Sequence, residues 1–148
     1  MITEEYIQEL MARANIQGSA AFVTGYDAAL ALIENRTAFP FIIVEDSTSG
    51  VLSADYGGVD SISQSIWVMC AINERDGIGK NAASLRAKLL MRKIVALLLE
   101  DKDNGDLGAK ALDISSMPYF ARNTAIAAGW ELQLTFNETD DLTMSAYE

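Results

Sequence analysis

The chain has 148 residues and a mass of 16.1 kDa, enough for one domain with its own core and short for two. Half of its residues are hydrophobic, which argues against disorder along the whole chain, and its 11 basic against 21 acidic side chains give a formal net charge of −10. That balance disfavours a general nucleic-acid binder, whose phosphate contacts need a basic surface, and the absence of histidine excludes a Ser-His-Asp triad and any His-containing zinc site.

Helical spacing of Tyr6, Ile7, Leu10, Met11 and Ala14 behind a capping Thr3 predicts a first helix. A second is expected from Tyr26 or Asp27 through Ala28–Ile33 to about Arg36, able to pack beside the first, with Phe22 and Val23 as a short strand in an alternative reading. After Pro40, the run Phe41–Val44 favours a strand ended by Glu45, Asp46 and the turn material 47–50. Gly57 and Gly58 mark a turned connection. Ile62–Ile72 then passes from mixed to apolar on both faces, which suits a central strand covered on both sides, with Asn73–Gly79 as its exit loop.

The longest helix is expected over Asn81–Asp101, with Asn81 as a possible cap. Ala87, Leu90, Met91, Ile94, Leu97 and Leu98 form an arc that can roof a sheet. A thinner stripe of Leu85, Leu89 and Ala96, flanked by Arg86, Lys88, Arg92 and Lys93, lies on the other side. A helix that only roofs its own sheet needs one apolar face, so the stripe points to subunit packing or, within the chain, to the N-terminal helices. Charge is uneven here as well: residues 75–110 sum to +3 and the remainder to −13, an asymmetry that a self-complementary assembly could use.

Beyond a polar loop from Lys102 to Lys110, the stretch Leu112–Thr124 reads as a strand or an irregular arm. In Trp130–Asn137 the apolar Trp130, Leu132, Leu134 and Phe136 alternate with Glu131, Gln133, Thr135 and Asn137, a strand with one buried and one wet face. Ala128-Gly129 reads as the turn from a preceding antiparallel strand. The expected domain is α+β and spans 1–137: a mixed or antiparallel sheet of about four strands, one long helix against it, and two N-terminal helices. Residues 138–148, with four acids and no base, form an acidic extension.

No site of catalysis, cofactor binding or metal binding is expected. Gly77-Ile78-Gly79-Lys80-Asn81 precedes a helix but lacks the first glycine and the Ser/Thr of a phosphate loop. Asp101, Asp103, Asn104 and Asp106 resemble a cation loop that breaks at Gly105 and Leu112, so a solvated acidic loop is expected instead. The carboxylate pairs Glu45/Asp46 and Asp55/Asp60 serve turns and solubility. Cys70, the only cysteine, allows no internal disulfide and sits in an apolar run that suits packing rather than nucleophilic chemistry. Neither a signal peptide nor a membrane span is indicated. Tyr119, Phe120 and Arg122 are candidate protein-contact anchors on the arm, although core packing accounts equally well for the two aromatics. If they are contacts, replacing Arg122 should weaken assembly and spare the monomer fold.

The order of elements from Phe39 to Asn137, namely the 41–44 strand, the 62–72 strand, the long 82–101 helix and the 130–136 strand after a looped segment, resembles tail-terminator and head-to-tail joining proteins of long-tailed bacteriophages. The resemblance rests on order and texture and on no short motif. It implies a non-enzymatic ring component of a phage or prophage. Such a protein would form a homo-oligomer, with a hexameric ring as one form, docking on tail-tube or head-connector proteins and located at the virion tail or head-tail junction after assembly in the host cytoplasm. Leu85, Leu89, Arg92, Lys93, Tyr119, Phe120 and Arg122 are the interface candidates. Another minor capsid or tail-assembly factor, or a small-molecule-binding domain or hydrolase, is the alternative.

Overall fold

Thr3 does cap the first helix, its side chain accepting a hydrogen bond from the Tyr6 amide at 3.2 Å. The protein is seen in a computed structural model that describes residues 2–35, 39–46, 50–54, 58–106 and 108–139. Among these the elements run α1 (Glu4–Arg13), β1 (Ser19–Val23), α2 (Tyr26–Glu34), β2 (Phe41–Glu45), β3 (Gly50–Ser53), β4 (Val59–Ala71), a 3-10 turn (Glu74–Asp76), α3 (Lys80–Asp103), β5 (Tyr119–Asn123) and β6 (Ala127–Thr139).

The sheet is mixed and has six strands, not about four. Its path is β1-β2-β4-β6-β5, with β3 paired to the outer half of β4. Phe22 and Val23 belong to β1, which runs parallel to β2. Parallel neighbours need a crossover, and α2 supplies it. The other pairings are antiparallel, and β4 and β6 face each other over the full length from Val59–Thr139 to Ala71–Ala127.

That crossover also explains why the two N-terminal helices do not pack together as expected. Ile42, Val44, Ile66 and Val68 point to one face of the sheet, where they meet Ile7 and Leu10 of α1 and Ala87, Ile94 and Leu98 of α3. Phe41, Ile43, Trp67 and Met69 point to the other face, where Ala29 and Ile33 of α2 cover them. Residues 66–70 of β4 are buried whichever way they point, as their apolar run implies. Each large side chain so enclosed contributes roughly 1.5–3 kcal/mol through burial alone.

Several boundaries fall elsewhere than periodicity suggests. Gly50 opens β3 rather than closing a turn, and residues 47–49, Asp55 and Gly57 lie outside the described residues, as do Arg36 and 140–148. Gly79 rather than Asn81 caps α3, without a side-chain hydrogen bond. Ala128-Gly129 is not a turn but part of β6. The chain reverses instead at 124–126, where the Thr124 hydroxyl oxygen accepts from the Ile126 and Ala127 amides at 3.3 and 3.1 Å. Glu138 and Thr139 continue β6, paired with Asp60 and Val59.

The acidic stretch that begins on the last turn of α3 is not wholly solvated either. Asp101 is buried and accepts hydrogen bonds from Arg13 at 2.8 Å and from the Tyr6 hydroxyl at 2.5 Å, tying α1 to α3. The Arg13 guanidinium holds its carboxyl below the ordinary carboxylate range, and burial together with Asp101 pushes the Tyr6 hydroxyl up. A depressed folded pKa means that Asp101 adds stability above the ordinary value of about 4 and loses it as pH falls through the folded value. Asp101→Asn should therefore cost about 2 kcal/mol at pH 7 and flatten the acid side of the stability profile, read from urea midpoints between pH 3 and 7. A variant profile parallel to that of the parent would refute this linkage.

Candidate functional site

Because β4 and β6 cross the full length of the sheet, α3 lies along them with one face down and one face out. Ala83, Ala87, Met91, Ile94 and Leu98 are buried. Leu85 and Leu89 project from the opposite side, 61% and 57% exposed, and Arg86, Arg92, Lys93 and Ala96 are exposed with them. Both leucines are left largely uncovered, and α1 reaches α3 instead through Asp101 and the sheet-facing side. The outward stripe is thus an apolar surface set among cations.

Beside α3, β5 ends the strand path, and its alternating side chains go to different faces. Tyr119 is 47% exposed and meets Trp130 edge-on, with ring centroids 5.5 Å apart. The Lys88 ammonium lies 4.9 Å from the Tyr119 centroid and 4.8 Å from that of Trp130, within cation–π range. Trp130 is half-buried, packs against the core and donates its Nε1 hydrogen to the Ser84 carbonyl at 2.9 Å, so it also fastens α3 to β6. Phe136, by contrast, is fully buried. Between α3 and residues 114–119 runs a groove of about 380 Å³, whose lining includes Lys88, Met91, Arg92, Met117, Tyr119 and Leu132.

Phe120 and Arg122 face the α2 side. Phe120 is 42% exposed, but Arg122 is half-buried and engaged within the chain. Its Nε donates to Glu131 at 3.2 Å, and its guanidinium lies 5.4 Å from the Tyr26 centroid, 5.6 Å from that of Trp67 and 5.5 Å from that of Phe120. Glu131, expected on a wet face, is buried, because Arg122 and Ser65 hydrogen-bond to it. This geometry ties Arg122 into the monomer, so its replacement is expected to disturb the fold as well as any assembly.

Of the remaining candidates, Cys70 is buried and its thiol is pushed up by desolvation, which suits packing. Glu45 accepts from Trp67 Nε1 at 3.1 Å, and Asp106 from the Gly108 amide at 3.0 Å, ordinary structural roles for these carboxylates. Among the described residues no group of three His, Cys, Asp or Glu side chains could hold a metal ion, and no helix is long and apolar enough to cross a membrane. Sequence reasoning missed Val51 and Leu52 of β3, 68% and 57% exposed. Their adjacency was the available signal, since neighbouring strand residues point to opposite faces and a pair of large apolar ones implies cover on both.

The surfaces that stand out are therefore apolar, exposed and placed at sheet ends and on one helix. No family model matches the chain, and no curated protein matches it.

Proposed function

We propose that the protein is a structural interaction protein that works by self-association, as a ring-forming tail terminator or head-to-tail joining component of a long-tailed phage or prophage. The observation that carries self-association is the pair Leu85 and Leu89, exposed on the longest helix within a basic segment of an otherwise acidic chain. Two apolar side chains among cations give a contact both a dry centre and a charge preference, and the acidic remainder of a second copy supplies the opposite sign. Strand ends offer further support. β1 and β5 terminate the sheet path, and a closed ring is one way to cover such edges. The phage assignment rests on the resemblance in element order; another tail-assembly factor would use the same surfaces and is distinguished by the particle it forms.

Light scattering after size separation, across concentration and salt, tests the reading. A discrete oligomer near six copies is expected, weakened by salt. Leu85→Glu with Leu89→Glu should shift the association midpoint at least about tenfold, equivalent to about 1.4 kcal/mol, while leaving the unfolding midpoint within about 0.5 kcal/mol of the parent. A parent chain that remains at 16.1 kDa under all conditions sinks the proposal.

A further inference from the structure

Two exposed apolar surfaces of this chain carry opposite charge. On α3, Leu85 and Leu89 are followed one turn on by Arg92 and Lys93, all four exposed. On the sheet, the exposed Leu52 of β3 pairs with Asp60 of β4, and Asp60 pairs in turn with Glu138 of β6. Residues directly opposite each other in antiparallel strands point to the same face, so these three side chains form a row that runs from a leucine to two carboxylates. No lysine or arginine occurs in β3, β4 or β6. The spacings also match. Neighbouring strands lie about 4.8 Å apart and successive helix turns about 5.4 Å, so a helix laid across the row sets Leu52 between Leu85 and Leu89 and brings Asp60 and Glu138 beside Arg92 and Lys93.

Within one chain the two surfaces stand toward opposite ends of the sheet. The Ser84 carbonyl, next to Leu85, takes the Nε1 hydrogen of Trp130, and Trp130 pairs with Val68. Asp60 lies eight residues back along β4 from Val68, about 26 Å away and beyond the reach of any side chain. A copy therefore cannot bring its own two surfaces together, whereas a second copy can. Because the two surfaces differ, the contact is head-to-tail, the kind that closes into a ring. We infer that the row of Leu52, Asp60 and Glu138 in one copy docks on the Leu85 and Leu89 stripe of α3 in the next, with its carboxylates on Arg92 and Lys93. This inference rests on the self-association proposed above and names the two surfaces that join the copies.

Full-length charge-reversal variants test it. A sheet variant, Asp60→Lys/Glu138→Lys, and a helix variant, Arg92→Glu/Lys93→Glu, should each raise the association midpoint about tenfold by light scattering, because each then meets its own copies with like charge. An equimolar mixture of the two should return to within about threefold of the parent, since every contact in an alternating assembly again joins opposite charges. Recovery on mixing separates docking from damage to the fold, because a misfolded copy is not repaired by another. A contact of α3 with α3 would leave the sheet variant unchanged. If the parent assembles and either variant keeps the parent midpoint, or the mixture does not recover, the docking is overturned and the assembly reading stands. A parent that stays monomeric overturns both readings together.

Discussion

Replacing Arg122 with alanine should lower the stability of the fold by about 3 kcal/mol, read as a shifted urea midpoint with an unchanged slope. The arginine and Glu131 face each other at 3.2 Å, with 28% and 6% of their side chains exposed. Removing the cation strands a carboxylate that Ser65 and Gln133 can meet only with long hydrogen bonds of 3.2 and 3.5 Å. It also strips the shared neighbour of Tyr26, Trp67 and Phe120, whose rings are gathered around the guanidinium. Breaking a buried pair costs about 3–5 kcal/mol, and the water that reaches Arg122 puts this case at the low end. Arg122→Ala combined with Glu131→Gln should recover part of the loss, since no unpaired charge remains. A single variant as stable as the parent would show the ion pair to be idle. The same experiment bears on assembly work, because any loss of association in an Arg122 variant must be separated from loss of the fold.

Gly129→Ala should be more damaging, at about 4 kcal/mol or more, a large share of the 5–15 kcal/mol typical of a domain. Gly129 lies opposite Met69 in the β4–β6 ladder. A Cβ there would overlap the Val68 carbonyl oxygen and lie 2.8 Å from Met69 Sδ and 2.9 Å from its Cα. The sulfur could swing aside, but the carbonyl and Cα belong to a central strand bonded on both sides. The two strands would have to separate where both are buried. Thermal unfolding of the purified variant measures the effect; a midpoint near that of the parent would mean that the strands yield far more readily than this packing implies. Alanine at Gly77, where φ is +77° and space is open, is the control for backbone strain alone.

Much of the fold was legible because the strongest patterns belong to residues whose surroundings are uniform. Tyr6 to Ala14, Phe41 to Val44 and Ile66 to Cys70 are each enclosed on the faces their periodicity implies. What escaped was set by distant partners. Glu131 reads as wet until Arg122 is known to lie over it, and Asp101 reads as a solvated carboxylate until Tyr6 and Arg13 arrive from the other end of the chain. Gly129 suggested a turn because glycine is common there, whereas in the sheet it is the close approach of Val68 and Met69 that requires it. The crossover of α2 follows from the parallel β1–β2 pairing, and α1 packs on the other face; no local pattern reveals either. For the candidate surface, helical spacing alone found Leu85 and Leu89. Val51 and Leu52 stayed hidden because a four-residue strand is too short to show alternation.

The length of β4 carries a further consequence for the life of the protein before it is complete. On a ribosome, this strand emerges with apolar side chains on both faces, and its longest partner, β6, is not synthesised until α3 and the following loop have been made. Until then the strand has a bare backbone edge next to its most apolar residues, a state that invites pairing with other nascent chains. Folding must also close a loop that contains the whole of α3 before the central ladder can zip, which slows it relative to a helical protein of this size. High expression should therefore favour insoluble material over soluble product more than the net charge of −10 would suggest, and a lower synthesis temperature should shift the ratio back.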